Sequence, residues 1–224
     1  MSIPLVVKLW ENVNFKGRRR NIIENESNLS RQLFNDATSS IEICDVPNVP
    51  GSTWVKVYKH SDYQGRYLPL KDFCKYKNIH GILNFGDVVS SIDINPNINL
   101  ADRILSDGIR YANSSDMSVY LVLKVFNVQN CSPDGPYAFI IEDVPKISDY
   151  LGSEFDNTIQ SIYCDMGPSH PNTDSHRYKA IVYEHNNYRG ASMEITHWGG
   201  DGFGCYNNLG NLRNKISSIK IVRE

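Results

Sequence analysis

Short segments in which apolar and polar residues alternate recur along the whole chain. They are rich in β-branched and aromatic residues and are closed by polar turn residues, which is the pattern of half-buried β-strands. Four of them are Val7–Trp10, Val55–Tyr58, Lys124–Phe126 and Ala180–Tyr183. The one helix-like stretch is Leu100–Leu105, inside a segment rich in Asn, Ser and Asp. The pattern therefore predicts an all-β protein with a connector near the middle of the chain.

Three hairpin segments match one another position by position. They are Trp10–Gly17, Tyr58–Gly65 and Tyr183–Gly190, and each runs from one aromatic residue to a second that is followed by x-Gly. A fourth segment starts in the same way at Phe126 but passes into the loop Cys131–Pro136 without that ending. The match predicts hairpins whose second aromatic covers the turn, with a glycine in a backbone conformation closed to other residues.

A second repeated element follows each hairpin segment at a matched distance. Its second position is Asn or Asp, and in three copies it ends in Ser-Ser-Ile. The four copies are Asn35–Ile41, Gly86–Ile92, Asp156–Ile162 and Arg213–Ile219. A single Ser-Ser-Ile carries no information, but four copies at matched distances from four aromatic hairpins indicate an internal repeat. The chain therefore consists of two halves, each of them internally doubled.

A hairpin ending in aromatic-x-Gly, followed by (Asn/Asp)-(Asn/Asp)-x-x-(Ser/Thr)-Ser, resembles the Greek-key motif of the βγ-crystallin superfamily. The resemblance is to its calcium-binding members from microbes and invertebrates, and it covers nearly everything except the connector. It implies an all-β chain of two Greek-key β-sandwich domains. The implied boundaries are a first domain at 1–96 with motifs at about 4–44 and 54–95, a connector at 97–118, and a second domain at 119–224 with motifs at about 119–164 and 178–223.

The resemblance also implies a set of calcium ligands, and calcium takes six to eight oxygens from carboxylates, carbonyls, hydroxyls and water. In the family, the second-position side chain and the third-position carbonyl hold one ion, and the fifth-position hydroxyl reaches the ion of the partner motif. A hairpin carbonyl just after the first aromatic completes each set. In the first domain the implied ligands are Glu11, Asp36, Ala37, Ser39, Lys59, Asp87, Val88 and Ser90. Only Gly86 departs there, at a first position that shapes the loop more than it binds metal.

The second domain departs further from the family pattern. Neutral Asn157 and Asn214 stand at its second positions, and Gln160 replaces a hydroxyl. Arg213 adds a positive charge beside the implied ion. Because ligand charge tunes affinity, we expect calcium mainly in the first domain, with a dissociation constant of about 10⁻⁵–10⁻³ M. The weaker candidate ligands are Asn127, Asn157, Thr158, Glu184, Asn214, Lys215 and Ser217.

Composition narrows the class of partner. The chain is 41% apolar, and its 23 basic and 25 acidic residues leave a net charge of −2. A near-neutral chain lacks the basic face of a nucleic-acid binder, and no apolar run approaches the roughly 20 residues of a membrane span. Met1–Pro4 opens into strand-like sequence without the pattern of a secretory signal. We therefore expect a cytoplasmic protein, present as a monomer or weak homodimer.

The cysteines and the sharpest charge run both receive a structural interpretation. Five cysteines are scattered without a Cys-x-x-Cys pair, which argues against a disulfide framework or a zinc ribbon. Cys164 is interpreted as a small core residue. The run Arg18–Arg20 lies in a predicted strand, where alternate residues face opposite sides. It therefore reads as a solvated strand and not as a patch for an anionic partner.

The sequence favours a non-enzymatic structural or stress-type protein stabilised by bound calcium. It supplies no distinctive nucleophile with a base, paired carboxylates or open metal position, so no catalytic residue is assigned. Two alternatives stay open. The repeated element is compatible with a simple turn and strand start, because Asn, Asp and Ser turn the chain for local reasons. The second alternative is a recognition module that binds a glycan or a protein and is toxin-like or inhibitor-like. It stays open because the loops of β-sandwiches often carry binding sites and the hairpin Asn127–Tyr137 is unusual.

Overall fold

The chain forms two compact units, Ser2–Ser118 and Val119–Glu224, called here the first and the second unit. The computed structural model describes residues 5–45, 54–71, 74–80, 85–94, 111–112, 119–132, 134–167, 178–200 and 204–223. The helix-like stretch Leu100–Leu105 lies outside these residues. Of the predicted connector at 97–118, only residues 111–112 are described.

The first unit consists of antiparallel strands in two sheets. One sheet has the order β2-β1-β3-β6-β8, and the other has the order β5-β4-β7. The strands are β1 Leu5–Asn12, β2 Lys16–Ile22, β3 Ser40–Asp45, β4 Trp54–His60, β5 Gln64–Lys71, β6 Cys74–Tyr76, β7 Ser91–Ile94 and β8 Tyr111–Ala112. A short 3₁₀ helix, Leu29–Gln32, connects β2 to β3 and is capped by Asn28, whose side chain accepts from the Ser30 amide.

Each sheet of the first unit takes one segment from the other motif. Strand β6 of the second motif pairs with β3 of the first, with Ile41 opposite Tyr76. In return, Glu26 of the first motif bridges Ile92 in β7 of the second. This exchange defines paired Greek keys, so the prediction of an all-β Greek-key fold is confirmed. It also brings the loop before β3 next to the loop before β7, where the repeated elements lie.

The interior of the first unit is a single apolar cluster between the two sheets. Leu9 and Ile41 from one sheet and Val57 and Leu68 from the other are fully buried in it, together with Phe34. Full burial of an aliphatic or aromatic side chain is worth about 1.5–3 kcal/mol. The apolar interior is therefore a main source of the stability of the first unit.

The second unit repeats this plan. One of its sheets has the order β14-β11-β9-β10 and the other has the order β13-β12-β15. Its elements are β9 Leu121–Phe126, β10 Tyr137–Ile140, α1 Ile147–Tyr150, β11 Ser161–Met166, β12 Tyr178–His185, β13 Arg189–Ile195, β14 Cys205–Tyr206, the 3₁₀ helix Gly210–Leu212, and β15 Ser218–Arg223. The exchange recurs as well, with Ile162 opposite Tyr206 and Val144 bridging Ile219. No helix in the described part of the chain is long and apolar enough to cross a membrane.

The arginine run differs from its interpretation as a solvated strand. Arg20 is fully buried, and its Nε donates to the carbonyl of Gln32 at 2.6 Å. Its guanidinium also lies 5.1 Å from the ring centre of Phe34. A planar guanidinium can be buried in this way because carbonyls satisfy its N–H groups and an aromatic face covers it. Arg18 instead pairs with Glu11 at the surface.

Candidate metal centre

The four repeated elements make the same backbone contact with their hairpins. In each, the amide at the fifth position donates to the carbonyl of the first hairpin aromatic. The four bonds are Ser39 to Trp10 at 2.8 Å, Ser90 to Tyr58 at 2.9 Å, Gln160 to Phe126 at 2.8 Å and Ser217 to Tyr183 at 2.9 Å. Each fifth-position side chain is therefore held beside the hairpin carbonyl that follows the aromatic.

The serine at the sixth position is a structural anchor. Its hydroxyl donates to a carbonyl in the hairpin and accepts from the amide of the hairpin's second aromatic, as Ser40 does with Asn12 and Phe15. Ser91, Ser161 and Ser218 repeat this arrangement, and all four are fully buried. Leaving such buried groups unpaired costs about 1–3 kcal/mol. The two adjacent serines therefore have different roles, and only the fifth position remains for a ligand.

The second position of every element has a left-handed backbone. The φ angles are 52° at Asp36, 54° at Asp87, 57° at Asn157 and 58° at Asn214. Asn and Asp tolerate this conformation better than other non-glycine residues. Across each pair of motifs, these residues also donate through their amides to the partner loop, as Asp36 does to Val89 at 3.1 Å. The Asn/Asp preference therefore has a local cause that operates without any metal.

The Asp36 site brings together side chains from both motifs of the first unit. Ser90 Oγ lies 3.1 Å from Asp36 Oδ1 and 2.9 Å from the carbonyl oxygen of Lys59. Asn35 Nδ2 donates to the other carboxylate oxygen of Asp36 at 2.7 Å. Ala37, the third-position residue, packs partly buried against the core. The structure thus gathers three of the predicted ligand atoms at one point.

These donor atoms fit calcium. Oxygens bound to one calcium ion at about 2.3–2.6 Å lie roughly 3 Å from one another, which is the spacing found around Ser90 Oγ. A carboxylate, a hydroxyl and a carbonyl are the oxygen types that calcium prefers, and water completes its shell. A calcium site with one carboxylate would fall on the weak side of the range of calcium affinities.

The Asp87 site is the pseudo-symmetric counterpart and contains an additional side chain. Ser39 Oγ donates to Asp87 Oδ1 at 3.0 Å. His80 Nε2 lies 3.0 Å from Ser39 Oγ and 3.7 Å from Asp87 Oδ2. Val88 packs partly buried against the core. The Glu11 carboxylate pairs with Arg18 at 2.8 Å, and this hydrogen-bonded partner lowers the pKa of Glu11.

The Asn157 site keeps the geometry of the Asp36 site without its charge. Ser217 Oγ donates to Asn157 Oδ1 at 3.0 Å, as Ser90 does to Asp36. The hairpin residue Glu184 has its carboxylate 3.9 Å from Lys215 Nζ. A neutral amide oxygen in place of a carboxylate weakens the attraction for a cation.

The Asn214 site is occupied by the protein's own donors. Gln160 Nε2 donates to the carbonyl of Asn127 at 2.8 Å. This carbonyl is the one that the family resemblance assigns to a calcium ion. Arg213 donates to Gln160 Oε1 at 3.1 Å, and Thr158 Oγ1 donates to Asn127 Oδ1 at 3.1 Å. An amide N–H and a guanidinium therefore stand where a cation needs oxygens.

Side-chain clusters of the usual metal-binding kind do not occur in the described residues. Among them, no three or more His, Cys, Asp and Glu side chains converge on a point. A site built from one carboxylate, one hydroxyl and backbone carbonyls falls outside that description, because only one of its ligands is such a side chain.

Two features of the structure were not foreseen in the sequence. Cys131 and Cys205 form a disulfide across 74 residues, with their Cα atoms 6.6 Å apart, although the scattered cysteines argued against such bonds. Cys131 occupies the place of the second hairpin aromatic, because its amide donates to Ser161 as that of Phe15 does to Ser40. The alignment of the four hairpins places Cys131 at the position of the second aromatic, and this equivalence could have singled out Cys131 in the sequence. His80 at the Asp87 site is the other, and it lies outside the repeated elements.

Part of the chain is similar to known proteins. Residues 6–93 match the family model described as Beta/Gamma crystallin. A βγ-crystallin from Ciona intestinalis is 28% identical, covers 39% of this chain and 96% of its own, and gives a TM-score of 0.33. An archaeal βγ-crystallin is 25% identical, covers 40% and 95%, and gives 0.33. A Clostridium beijerinckii βγ-crystallin domain is 19% identical, covers 40% and 97%, and gives 0.32. No curated protein matches the chain.

The exchange of one segment between two paired motifs defines a Greek-key β-sandwich protein. The family match spans both motifs of the first unit, including the hairpins, the sixth-position serines and the two repeated elements Asn35–Ile41 and Gly86–Ile92, called here the clamp loops. This unit is therefore similar to the βγ-crystallin family over residues 6–93, as the sequence motifs indicated.

Proposed function

We propose that this protein is a non-enzymatic, structural βγ-crystallin whose first unit is stabilised by calcium held between its paired motifs. The observation that carries the proposal is that Ser90 Oγ lies 3.1 Å from Asp36 Oδ1 and 2.9 Å from the carbonyl oxygen of Lys59. These atoms come from two motifs, so one ion would tie the clamp loop of the first motif to the hairpin and loop of the second.

The mechanism is linkage between binding and folding. An ion that binds the folded state alone stabilises it by RT ln(1 + [L]/Kd), which is about 2.7 kcal/mol at a calcium concentration 100 times Kd. The unfolded chain does not hold residues 36, 59 and 90 together, so it has no corresponding site. The chain's own contribution is to keep these oxygens in place through the buried sixth-position serines.

The decisive experiment is the double variant Asp36→Asn with Asp87→Asn in the full chain. Asparagine keeps the left-handed backbone, as Asn157 and Asn214 do, but removes both negative charges. We expect an unchanged fold and loss of most calcium-dependent stabilisation, measured by calorimetric titration and by thermal melts with calcium or with chelator.

Asp62→Asn is the matched control. Asp62 is also exposed and left-handed, with a φ of 58°, but it lies in a hairpin turn and is not one of the predicted ligands. It should leave calcium binding unchanged. Equal calcium binding in the double variant and in the wild type would reject the site, and absence of calcium binding in the wild type would reject the function.

A further inference from the structure

The Asp36 and Asp87 sites of the first unit differ because only the Asp87 site contains a histidine side chain. At the Asp87 site, His80 Nε2 approaches Ser39 Oγ to 3.0 Å and Asp87 Oδ2 to 3.7 Å. At the Asp36 site, the amide of Asn35 takes the place beside the carboxylate. One site therefore offers only oxygens, whereas the other adds an imidazole nitrogen.

The position of the ring depends on a missing side chain. Gly86 is the residue equivalent to Asn35, and a Cβ placed on it would overlap the His80 ring. The backbone fixes the histidine from the other side, because the Ile79 amide donates to the Ser39 carbonyl at 3.0 Å and the His80 amide donates to Asn78 Oδ1 at 2.9 Å. The departure of Gly86 from the family pattern and the presence of His80 are thus two parts of one arrangement.

The chemical type of these ligand atoms, and not their spacing, favours a softer ion than calcium. Ligands bound to a zinc-type ion at about 2.0–2.2 Å lie roughly 2.8–3.6 Å apart in octahedral or tetrahedral geometry. Ser39 Oγ lies 3.0 Å from His80 Nε2 and 3.0 Å from Asp87 Oδ1, within that range, and His80 Nε2 lies 3.7 Å from Asp87 Oδ2, slightly outside it. Imidazole nitrogen is a common ligand of zinc, copper and nickel, whereas calcium takes oxygens.

We propose that the Asp87 site binds a divalent transition-metal ion of the zinc type through His80 Nε2 and the Asp87 carboxylate, with the Ser39 hydroxyl and water beside them. The inference rests on the proposed function in using the same clamp, and it divides the first unit into a calcium site at Asp36 and a transition-metal site at Asp87. Two strong ligands give a weaker site than the four of structural zinc centres.

The test uses untagged, chelator-stripped full chain, titrated calorimetrically with zinc in the presence of excess calcium. We expect one zinc ion per chain. His80→Gln should weaken zinc binding at least tenfold, whereas His185→Gln, an exposed hairpin histidine of the second unit, should not. A long-range ¹H–¹⁵N spectrum should show a zinc-induced shift at His80 Nε2. Absence of zinc binding, or equal binding in His80→Gln, would overturn the proposal.

Gly86→Asn provides an independent variant that leaves the histidine in the sequence. Its side chain would displace the ring and give the Asp87 site the same first-position residue as the Asp36 site. We expect zinc binding to weaken at least tenfold and the circular dichroism spectrum to remain that of the wild type. Unchanged zinc affinity would contradict the assigned geometry.

Asp36→Asn separates this inference from the proposed function. It should remove calcium from the Asp36 site and leave the zinc titration unchanged. Zinc binding through His80 in a chain that binds no calcium would reject the proposed function and support the transition-metal site. Binding of two calcium ions per chain that zinc does not displace would support the proposed function and reject the transition-metal site.

Discussion

The clamp loops of the first unit carry Asp36 and Asp87, whereas the corresponding loops of the second unit carry Asn157 and Asn214. All four residues hold nearly the same left-handed backbone, with φ between 52° and 58°. Their cross-motif amide bonds are also equivalent. The two units therefore share the conformational requirement and differ in charge. The comparison teaches that the repeated element encodes a loop geometry, and that the first unit adds a carboxylate to this geometry.

The third hairpin is secured differently from the other three, and the fourth keeps the aromatic contact, with Tyr183 and Tyr188 ring centres 5.8 Å apart. In the first unit Trp10 meets Phe15 with ring centres 6.4 Å apart, and Tyr58 meets Tyr63 at 5.7 Å. In the third hairpin Cys131 replaces the second aromatic and is bonded to Cys205. A covalent bond thus takes over the place of an aromatic contact.

Removing the disulfide should give the largest effect. Cys131→Ser with Cys205→Ser is expected to lower the free energy of unfolding of the second unit by about 2–4 kcal/mol, because a crosslink restricts the unfolded chain. Amide hydrogen exchange of β9 and β11 measures the change, with β1 and β3 of the first unit as internal reference.

A matched variant tests whether the aromatic contact and the disulfide are interchangeable. Cys131→Tyr with Cys205→Ser restores the residue type of Tyr63 and Tyr188, which hold a similar backbone conformation. It should recover part of the lost protection. Exchange in β9 and β11 that stays at the wild-type rate in the double serine variant would show that the bond contributes nothing to the second unit.

Adding charge to the second unit should have an intermediate effect. Asn157→Asp supplies the carboxylate that the Asn157 site lacks, and Ser217 is already in place. At a calcium concentration ten times Kd, the gain is about 1.4 kcal/mol. Asn214→Asp should gain nothing by itself, because Gln160 donates to the Asn127 carbonyl. Calcium stoichiometry by calorimetry distinguishes the two variants, and an equal gain from both would show that Gln160 does not close its site.

The sequence allowed prediction of the features that recur in all four motifs, but not of features that occur in one motif only. The Asn or Asp at the second position and the serine at the sixth position recur four times, so their pattern was readable before their geometry was known. His80 occurs in one motif only, and it reaches the Asp87 site through space that Gly86 leaves open. Arg20 was missed for another reason: alternation predicts the face of a strand, but it does not say whether that face is covered.

The smallest expected effect on stability concerns Asp93, which lies in the strand that follows the second clamp loop. Burial raises the pKa of Asp93 in β7, and nearby Lys56 only partly opposes this. The folded state therefore holds the Asp93 proton more tightly than the unfolded chain. The contribution of this group to stability is present below its unfolded pKa and is lost as the pH rises through its folded pKa. Lys220 of β15 stands at the equivalent place in the second unit.

Asp93→Asn should accordingly stabilise the first unit at neutral pH by roughly 0.5 kcal/mol or less, and the difference from the wild type should disappear below pH about 3. Urea melts at a series of pH values measure it, with Lys220→Gln as the control that lacks a carboxyl group. Asparagine retains an acceptor for Asn25 but loses the attraction of Lys56. The sign of the change in unfolding free energy at neutral pH therefore shows whether the cost of burying the charge or the ion pair is larger. A loss of stability at neutral pH would mean that the Lys56 attraction outweighs the cost of burying the charge.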